Sequence, residues 1–322
     1  MNAIVIAAPG GPEVLEYKNV EDPSAGPGQA VVEVTAAGLN YIDTYHRIAL
    51  YPMDFPMTPG LEGSGTIVEL ADDVTEFSVG DRVAWTGVLG SYADFVAADV
   101  TKLVSVPDGI EMETAAAIPL QGMTAHYLVR DTYALQPGSR CLIHAGAGGV
   151  GLLVIQMAKL IGAEVFTTVS SEDKAELAAA AGADHVIRYD EVNFADAIEE
   201  IAGPRPLDVV YDGVGQTTFE DGLRLLRPRG LMALFGAASG PVPPVDLQVL
   251  AQNGSLYATR PTLFSYIADR RELLGRAQEL FTWIGAGDLQ VRIGQTWPLE
   301  EAADAHRALH GRATTGKTLL IP

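Results

Sequence analysis

Three glycines in the segment HAGAGGVG have the spacing of a phosphate-binding loop. Gly146, Gly148 and Gly151 match the pattern G-x-G-x-x-G, directly after a strand-like apolar segment and directly before a helical one. In such a loop the first glycine permits a tight turn, the second lets the backbone approach a pyrophosphate, and the third lets helix pack on strand. The helix N-terminus, here Gly149, Val150 and Gly151, adds free N–H donors and a positive dipole. The motif predicts a dinucleotide site. The alternative is that these glycines only form the turn between a strand and a helix.

The end of the following strand indicates which dinucleotide binds. An acidic residue there would hold the ribose 2′-hydroxyl of NAD, but this chain has Ser170 and Ser171. Small hydroxyls leave room for a 2′-phosphate, and Lys174 could place a positive charge on it. Glu172 and Asp173 weaken this assignment, although carboxylates also stabilise a helix N-terminus, and Lys174 could simply be their solvated partner. We expect NADPH.

Composition restricts the class of protein. A chain of 322 residues with 48% hydrophobic residues is long enough for two domains. Its 21 Lys and Arg against 41 Asp and Glu make nucleic acid and anionic membrane poor partners. The single cysteine, Cys141, cannot form an intramolecular disulfide, so we expect a cytoplasmic protein. The apolar start predicts a first strand rather than a signal sequence, and no apolar stretch reaches the roughly 18 residues of a membrane span.

Hydrophobic patterning predicts an α/β chain with two architectures. The first third is rich in β-branched segments and tight turns, as at residues 30–35 and 66–70, and favours a mostly β domain. Helical spacing over 113–135, broken at Pro119, marks the boundary. Strands then alternate with helices, including one at 149–161 closed by Gly162, which predicts a Rossmann doubly wound parallel sheet of six strands. Those strands are 140–144, 164–169, 184–187, 207–211, 231–235 and 255–258.

The tail, from about Phe264, is predicted to hold a helix through Trp283, then the apolar residues Leu289, Val291 and Ile293, and a final strand at 318–321. We expect it to return to the first domain. The predicted domains are a catalytic domain at 1–123 and 264–322, and a nucleotide-binding domain at 124–263.

Segments along essentially the whole chain carry a family resemblance: GPEVLEY, AAGLNYIDTYHRIALYP, PGLEGSGTI, IPLQGMTAHYL, HAGAGGVG, VYDGVG, LMALFGAASG, SLYATRPTL and GRATTGKTLLIP. Together they resemble the zinc-independent quinone oxidoreductases (zeta-crystallin type) of the medium-chain dehydrogenase/reductase superfamily. The resemblance implies a GroES-like catalytic domain made from both chain ends, an inserted Rossmann domain, and a homodimer joined along the edges of the nucleotide-binding sheets.

The resemblance also implies site residues, which we carry over by position. Those implied around nicotinamide and substrate are Asn40, Asp43, Tyr45 and Tyr51. Those implied to contact the cofactor are Gln121 and Thr124 near the nicotinamide and ribose, Lys174 and Tyr189 at the 2′-phosphate, and Phe235 with Gly236, Arg260 and Arg312 closing over it. Arg260 and Arg312 could equally be surface residues.

The chain departs from zinc-dependent relatives at two ligand segments. Those relatives carry a cysteine in the segment around Asn40 and Gly-His-Glu around Glu62, where this chain has Gly-Leu-Asn and Gly-Leu-Glu. A catalytic zinc requires three protein ligands and an open position. The resemblance therefore implies hydride transfer without a metal.

The chemistry of the implied pocket leaves alternatives open. Tyr45 and Tyr51 could donate to a substrate oxygen or could only line the pocket. Asn40 could contact cofactor or substrate, or could be a turn residue. We expect Asp43 to orient a neighbour or to pair with Arg47 rather than to act as a base.

The expected function is NADPH-dependent reduction of a quinone. Reduction of the activated C=C bond of a 2-alkenal, enone or enoyl thioester is the alternative within the enzyme class, because the same hydride geometry would serve. A nucleotide-binding protein without turnover is a further alternative, since a fold and a motif never prove catalysis.

The assignment of Lys174 can be tested directly. Lys174→Ala is expected to raise the KM for NADPH much more than the KM for NADH, because only NADPH carries the 2′-phosphate. Steady-state kinetics with both cofactors measures this. An equal change for both would contradict the assignment.

Overall fold

The computed structural model describes residues 1–322, and the chain divides into two compact units. The first comprises Met1–Met123 and Ile267–Pro322, and the second is Thr124–Tyr266. The C-terminal segment therefore belongs to the same unit as the N-terminal third.

The elements follow one another in this order. The strands are β1 Asn2–Val5, β2 Glu16–Asn19, β3 Gln29–Leu39, β4 Glu62–Leu70, β5 Arg82–Thr86, β6 Phe95–Asp99, β7 Leu103–Ser105, β8 Arg140–His144, β9 Glu164–Val169, β10 His185–Arg188, β11 Leu207–Asp212, β12 Leu226–Leu234, β13 Tyr257–Thr259, β14 Ile293–Pro298 and β15 Lys317–Ile321. The α-helices are α1 Tyr41–Arg47, α2 Met112–Ala116, α3 Gln121–Tyr127, α4 Gly149–Ile161, α5 Glu172–Ala180, α6 Phe194–Ala202, α7 Phe219–Leu225, α8 Gln248–Gln252, α9 Leu263–Tyr266, α10 Arg270–Ala286 and α11 Ala302–His310. Short 3-10 turns lie at Pro12–Val14, Val100–Lys102 and Leu299–Glu301, and a π turn at Leu128–Thr132.

The first unit is built around β3. Its seven-stranded sheet has the order β14-β15-β3-β4-β5-β7, and β6 also pairs with β3. On one side of β3, Thr318 of β15 lies opposite Leu39, and on the other side Gly63 of β4 lies opposite Ala37. This register places Lys317 and Glu62, the first residues of β15 and β4, beside the C-terminal end of β3.

The second unit confirms the predicted doubly wound sheet. Its six strands are all parallel and have the order β10-β9-β8-β11-β12-β13. The order reverses between β8 and β11, and open sheets of this type bind ligands beyond the carboxyl ends of the strands at that point. The limits predicted for β8 and α4 are confirmed, and Gly162 ends α4 in the left-handed region with φ 91°.

The start of β12 and the tail differ most from the sequence prediction. β12 begins at Leu226 rather than at 231. The prediction missed its first residues because Pro228 and the left-handed Arg229 (φ 63°) interrupt the sequence pattern of a strand. The tail contains three helices, α9, α10 and α11, and the additional strand β14, rather than one helix and one strand. Asp269 starts the second helix by accepting the Arg271 N–H on its side chain.

Each unit has its own hydrophobic core. Trp85 and Tyr92 are fully buried in the first, and Phe166 and Tyr211 in the second. None of the helices has the length and apolar composition required for a membrane span.

Candidate active site

Asn40 lies between β3 and α1, and its side-chain amide is fully bonded within the first unit. Nδ2 donates to Glu62 Oε2 at 2.8 Å and to Gly38 O at 3.1 Å. Oδ1 accepts from Lys317 Nζ at 2.9 Å and from Gln121 Nε2 at 3.1 Å. Two amide protons and two lone pairs are all that this group has, so Asn40 holds its neighbours in place.

Glu62 and Lys317 form a buried ion pair, with side-chain exposures of 0% and 1%. Glu62 Oε1 also accepts the backbone N–H of Leu120 at 2.6 Å, which fixes the chain just before α3. Burying a charge pair is costly unless the remaining polar atoms are satisfied as well. Asn40 and Leu120 provide those additional bonds.

Gly38 gives this ion pair its space. A Cβ at position 38 would lie 2.4 Å from Glu62 Oε2 and 2.8 Å from Lys317 Nζ. Any larger residue would therefore displace the pair.

Asp43 is buried in the first turn of α1, where it caps the helix. Its Oδ2 accepts the Asn40 backbone N–H at 2.8 Å and the Tyr92 hydroxyl at 2.9 Å, whereas Oδ1 has no partner. Burial raises the pKa of Asp43 from 3.8 to about 7, although the hydrogen bonds from Asn40 and Tyr92 and the charge of Lys317 oppose the rise. The free Oδ1 is the atom that would carry the proton.

The structure does not contain the expected pairing of Asp43 with Arg47. Arg47 Nη1 lies 2.9 Å from His306 Nδ1, and His306 Nε2 lies 3.3 Å from the Tyr92 hydroxyl. Burial, with the charge of Arg47, lowers the pKa of His306 to about 3, so its ring is neutral. A guanidinium only donates, so hydrogen bonds run from Arg47 through His306 and Tyr92 to Asp43. The carboxylate is taken up by the helix cap, and Arg47 reaches it only through two other side chains.

Tyr45 and Tyr51 pack edge to face, with ring centroids 5.7 Å apart and an interplanar angle of 87°. Tyr45 lies on α1, and the turn after the helix brings Tyr51 back against it through a bond from the Leu50 N–H to Tyr45 O at 2.9 Å. Tyr51 is 37% exposed. The two rings form a small aromatic surface beside α1.

The glycine loop of the second unit leaves three N–H groups free. The Gly148 N–H donates to Ala145 O at 2.9 Å, but those of Gly149, Val150 and Gly151 find no acceptor in the chain. Free N–H groups at the start of a helix of 13 residues attract an anion. The loop therefore fits a pyrophosphate.

Close packing explains the outer glycines of this motif. A Cβ at Gly146 would lie 2.1 Å from Thr167 Oγ1, and one at Gly151 would lie 2.3 Å from Ala145 O. Both positions therefore require glycine if the loop is to keep its shape.

The ends of β9 and β10 lie side by side, because the Tyr189 N–H donates to Val169 O at 3.1 Å. Ser170 and Ser171 follow β9, and Ser171 is the residue before α5. Lys174 Nζ lies 3.4 Å from Ser170 Oγ. The structure thus brings the residues predicted for the 2′-phosphate to one corner of the sheet.

Arg188 adjoins this corner, but acidic side chains surround it. Its guanidinium lies 3.1 Å from Glu172, 2.7 Å from Asp190 and 2.8 Å from Glu191. The pairing compensates the charge of Glu172, which was the residue that weakened the assignment of NADPH from the sequence.

Asp212, at the end of β11, organises the loops where the strand order reverses. Its carboxylate accepts from the Gly215 N–H at 2.9 Å and from the Thr218 hydroxyl at 2.8 Å. Its carbonyl accepts from Phe235 at 2.8 Å and from Gly236 at 3.3 Å. Phe235 and Gly236 therefore lie directly beyond the carboxyl end of β12.

Four predicted cofactor residues are divided between the two units. Gln121 and Arg312 belong to the first unit, and Thr124 and Arg260 to the second. Thr124 is buried in α3, Arg260 is exposed after β13, and Arg312 is exposed after α11 with φ 56°. That they converge on one cofactor stays a prediction.

Several residues of these networks were not predicted as functional, among them Lys317, Tyr92, His306 and Asp212. Two of them carried a signal: Lys317 and Asp212 are charges attached to apolar strands, in GKTLLI and VVYDG. A charge in such a position is either paired or functional.

Comparisons with known proteins agree with this arrangement. One family model, an alcohol dehydrogenase GroES-like domain, matches residues 26–108, and another, a zinc-binding dehydrogenase, matches 149–277. The chain is 48% identical to a quinone oxidoreductase of Pseudomonas aeruginosa over 321 residues, which covers 99% of both chains. It is 39% identical to a 2-haloacrylate reductase of a Burkholderia species over 328 residues, covering 99% of this chain and 98% of the relative. The solved Escherichia coli quinone oxidoreductase complexed with NADPH superposes with a TM-score of 0.98 at 41% identity, covering both chains completely.

The donor set of this chain does not fit the zinc that the second family model names. Leu61 has no donor atom, the amide of Asn40 is fully bonded, and the carboxylate of Glu62 is paired with the ammonium of Lys317. No three His, Cys, Asp or Glu side chains are grouped as metal ligands would be. A catalytic zinc needs three such ligands.

The buried Asp43 is expected to make stability depend on pH. Because its native pKa of about 7 exceeds 3.8, the folded protein retains a proton that the unfolded chain releases. The free energy of unfolding contributed by Asp43 is therefore highest below about pH 4 and falls as the pH rises to about 7. Asp43→Asn, neutral throughout, should lose this fall of up to ~1.4 kcal/mol per pH unit.

Urea unfolding across this pH range compares the variant with the wild type. Asp54→Asn, at an exposed aspartate, is the control and should keep the wild-type profile. Parallel profiles for Asp43→Asn and the wild type would contradict the prediction.

Proposed function

The chain belongs to the quinone oxidoreductase family of the medium-chain dehydrogenase/reductase superfamily, and on this premise we propose that it reduces quinones by hydride transfer from NADPH. The observation that carries the proposal is the glycine loop, whose three free N–H groups form a site for a pyrophosphate. The NADPH complex of the Escherichia coli relative supports the choice of dinucleotide.

We assign the 2′-phosphate to the corner formed by β9 and β10. Lys174 supplies a positive charge, Ser170 and Ser171 leave room and offer hydroxyl donors, and Tyr189 offers a phenol. The ion pair of Arg188 with Glu172 reduces repulsion of the phosphate. The remaining cofactor contacts are assigned to Gln121, Thr124, Phe235, Gly236, Arg260 and Arg312.

When bound, the reduced nicotinamide supplies a hydride from its C4 to the quinone. The chain must hold the acceptor and stabilise the oxygen that becomes an anion. Tyr45 and Tyr51 provide an aromatic surface for a flat ring, and the exposed Tyr51 hydroxyl can donate to a quinone oxygen. Asn40 and Asp43 hold the start of the helix that carries Tyr45. One proton from water then completes the hydroquinone, so that the quinone gains one hydride and one proton in total.

Reduction of an activated C=C bond is a second candidate. The full-length identity of 39% to a 2-haloacrylate reductase favours it. The same hydride geometry would serve a 2-alkenal, enone or enoyl thioester, because each has an electron-poor carbon conjugated with an oxygen that becomes anionic. The two candidates differ only in the acceptor that oxidises NADPH.

We also propose a homodimer joined along the edge strand β13. This strand pairs only with β12, so its other side presents unpaired backbone groups. Large apolar side chains in this strand and in the segment before α8 are exposed: Tyr257 by 62%, Leu247 by 75% and Val245 by 40%. A second copy related by a two-fold axis would cover this edge and these residues together.

Cys141 supports our proposal that the protein acts in the cytoplasm. It is the only cysteine, it is fully buried, and burial raises the pKa of its thiol to about 12. A fold that uses no disulfide suits a reducing compartment.

A panel of acceptors tests the reaction. Purified, chelator-treated protein is expected to oxidise NADPH rapidly with benzo-, naphtho- or phenanthrenequinones, measured by nicotinamide absorbance. Gly151→Ala, which would place a Cβ 2.3 Å from Ala145 O, should lose activity with every acceptor. Faster turnover of haloacrylates, alkenals or enoyl thioesters would move the assignment to the second candidate. No turnover with any acceptor would contradict both.

Sedimentation equilibrium tests the dimer. The wild type is expected at twice the chain mass of 34.1 kDa. Tyr257→Lys is expected at the chain mass itself, because the proposed interface would bury the charge of Lys without an opposite charge to pair with it. Leu160→Lys, at a residue of α4 that is 49% exposed, is the matched control and should stay dimeric. A monomeric wild type would rule the dimer out.

A further inference from the structure

We propose that Lys317 is a positioning residue that acts through Asn40. Together with Glu62 it fixes which way the amide of Gln121 points, so that Gln121 Oε1 is offered as an acceptor to a donor on the nicotinamide nucleoside. This inference rests on the dinucleotide binding proposed above.

The first step is the orientation of Asn40. The oxygen and nitrogen of an amide have nearly the same shape, so only hydrogen bonding determines which is which. An ammonium can only donate and a carboxylate can only accept. Lys317 therefore requires Asn40 Oδ1 on its side, at 2.9 Å, and Glu62 requires Nδ2 on the other, at 2.8 Å.

The second step carries this orientation to Gln121. Asn40 Oδ1 can only accept, so Gln121 must turn its Nε2 toward it, at 3.1 Å. Gln121 Oε1 is then left on the opposite side, where it is buried and has no partner within the chain. An unpaired buried acceptor is destabilising until a donor arrives.

The same ion pair also holds the backbone beside Gln121. Glu62 Oε1 accepts the N–H of Leu120, the preceding residue, at 2.6 Å. The carboxylate of Glu62 thus fixes the main chain at Leu120 directly and the side chain of Gln121 through Asn40. A polar group held by surrounding hydrogen bonds in this way is prepared for its ligand before binding.

The assignment of Gln121 proposed above gives the half of the dinucleotide that this acceptor meets. The nicotinamide carboxamide and its ribose carry N–H and O–H donors, whereas the 2′-phosphate corner lies on the second unit with Lys174. A fragment that lacks the nicotinamide, 2′,5′-ADP, should therefore be insensitive to Lys317.

The test replaces the ion pair by a neutral pair of similar size, Glu62→Gln with Lys317→Met. The Asn40 amide then keeps only Gly38 O to orient it, and the Kd for NADPH, measured by nicotinamide fluorescence, should rise roughly three- to tenfold, as for one lost hydrogen bond. The Kd for 2′,5′-ADP should not change. The matched control is Glu16→Gln with Lys18→Met, the same change at an exposed ion pair, and it should leave both constants unchanged.

A double-mutant cycle separates positioning from a general structural effect. In a Gln121→Met background, replacing the ion pair should weaken NADPH binding no further, because the acceptor is already absent. The proposal is overturned if the neutral pair binds NADPH like the wild type, if it weakens 2′,5′-ADP equally, or if its effect persists in the Gln121→Met background.

If the neutral pair does not fold, Gln121→Glu tests the same idea with the ion pair intact. Its carboxylate cannot donate to Asn40 Oδ1 and is repelled by it, so the acceptor oxygen is no longer held in place. NADPH should bind more weakly than to the wild type, while 2′,5′-ADP binds normally. Wild-type affinity for NADPH in Gln121→Glu would overturn the proposal. A wild type that binds neither ligand would instead remove the dinucleotide assignment, and this inference with it.

Discussion

The ion pair between Glu62 and Lys317 is the constraint on which the first unit depends. Removing one partner of such a buried pair typically costs 3–5 kcal/mol, because the other charge is left without compensation. The pair therefore couples β15 from the end of the chain to β4 from its first third, with β3 between them. The pair also requires glycine at position 38, since a Cβ there would clash with both charged groups.

Two polar networks meet where β3 passes into α1. The amide of Asn40 belongs to the network of the ion pair, and its backbone N–H is bound by Asp43, the end of the chain of hydrogen bonds that starts at Arg47. Because both networks end on one residue, the first turn of α1 is fixed from two sides. The aromatic pair of Tyr45 and Tyr51 is carried by this helix and by the turn that follows it.

Features that depend on neighbours in the sequence could be predicted, and features that depend on distant partners could not. The glycine loop, β8, α4 and the cap at Gly162 are local, since each follows from residue types within a few positions. Asn40 and Lys317 are 277 positions apart, and no local pattern pairs them. The pairing of Asp43 with Arg47, one of the two roles expected for this carboxylate, is not formed for the same reason, because Arg47 bonds instead to Gly10 O and to the distant His306.

The sites proposed in the two units are built by different means, and this difference bears on specificity. In the second unit the backbone makes the phosphate site, so it depends on glycines and changes little with other side chains. In the first unit an ion pair orients amides, and the proposed substrate site consists chiefly of two aromatic rings with few polar groups. Hydrophobic and aromatic contacts discriminate poorly between flat conjugated molecules, whereas unpaired buried polar groups discriminate strongly. A scaffold of this kind can keep one cofactor while its acceptor varies, which accounts for relatives named for quinones and for 2-haloacrylate.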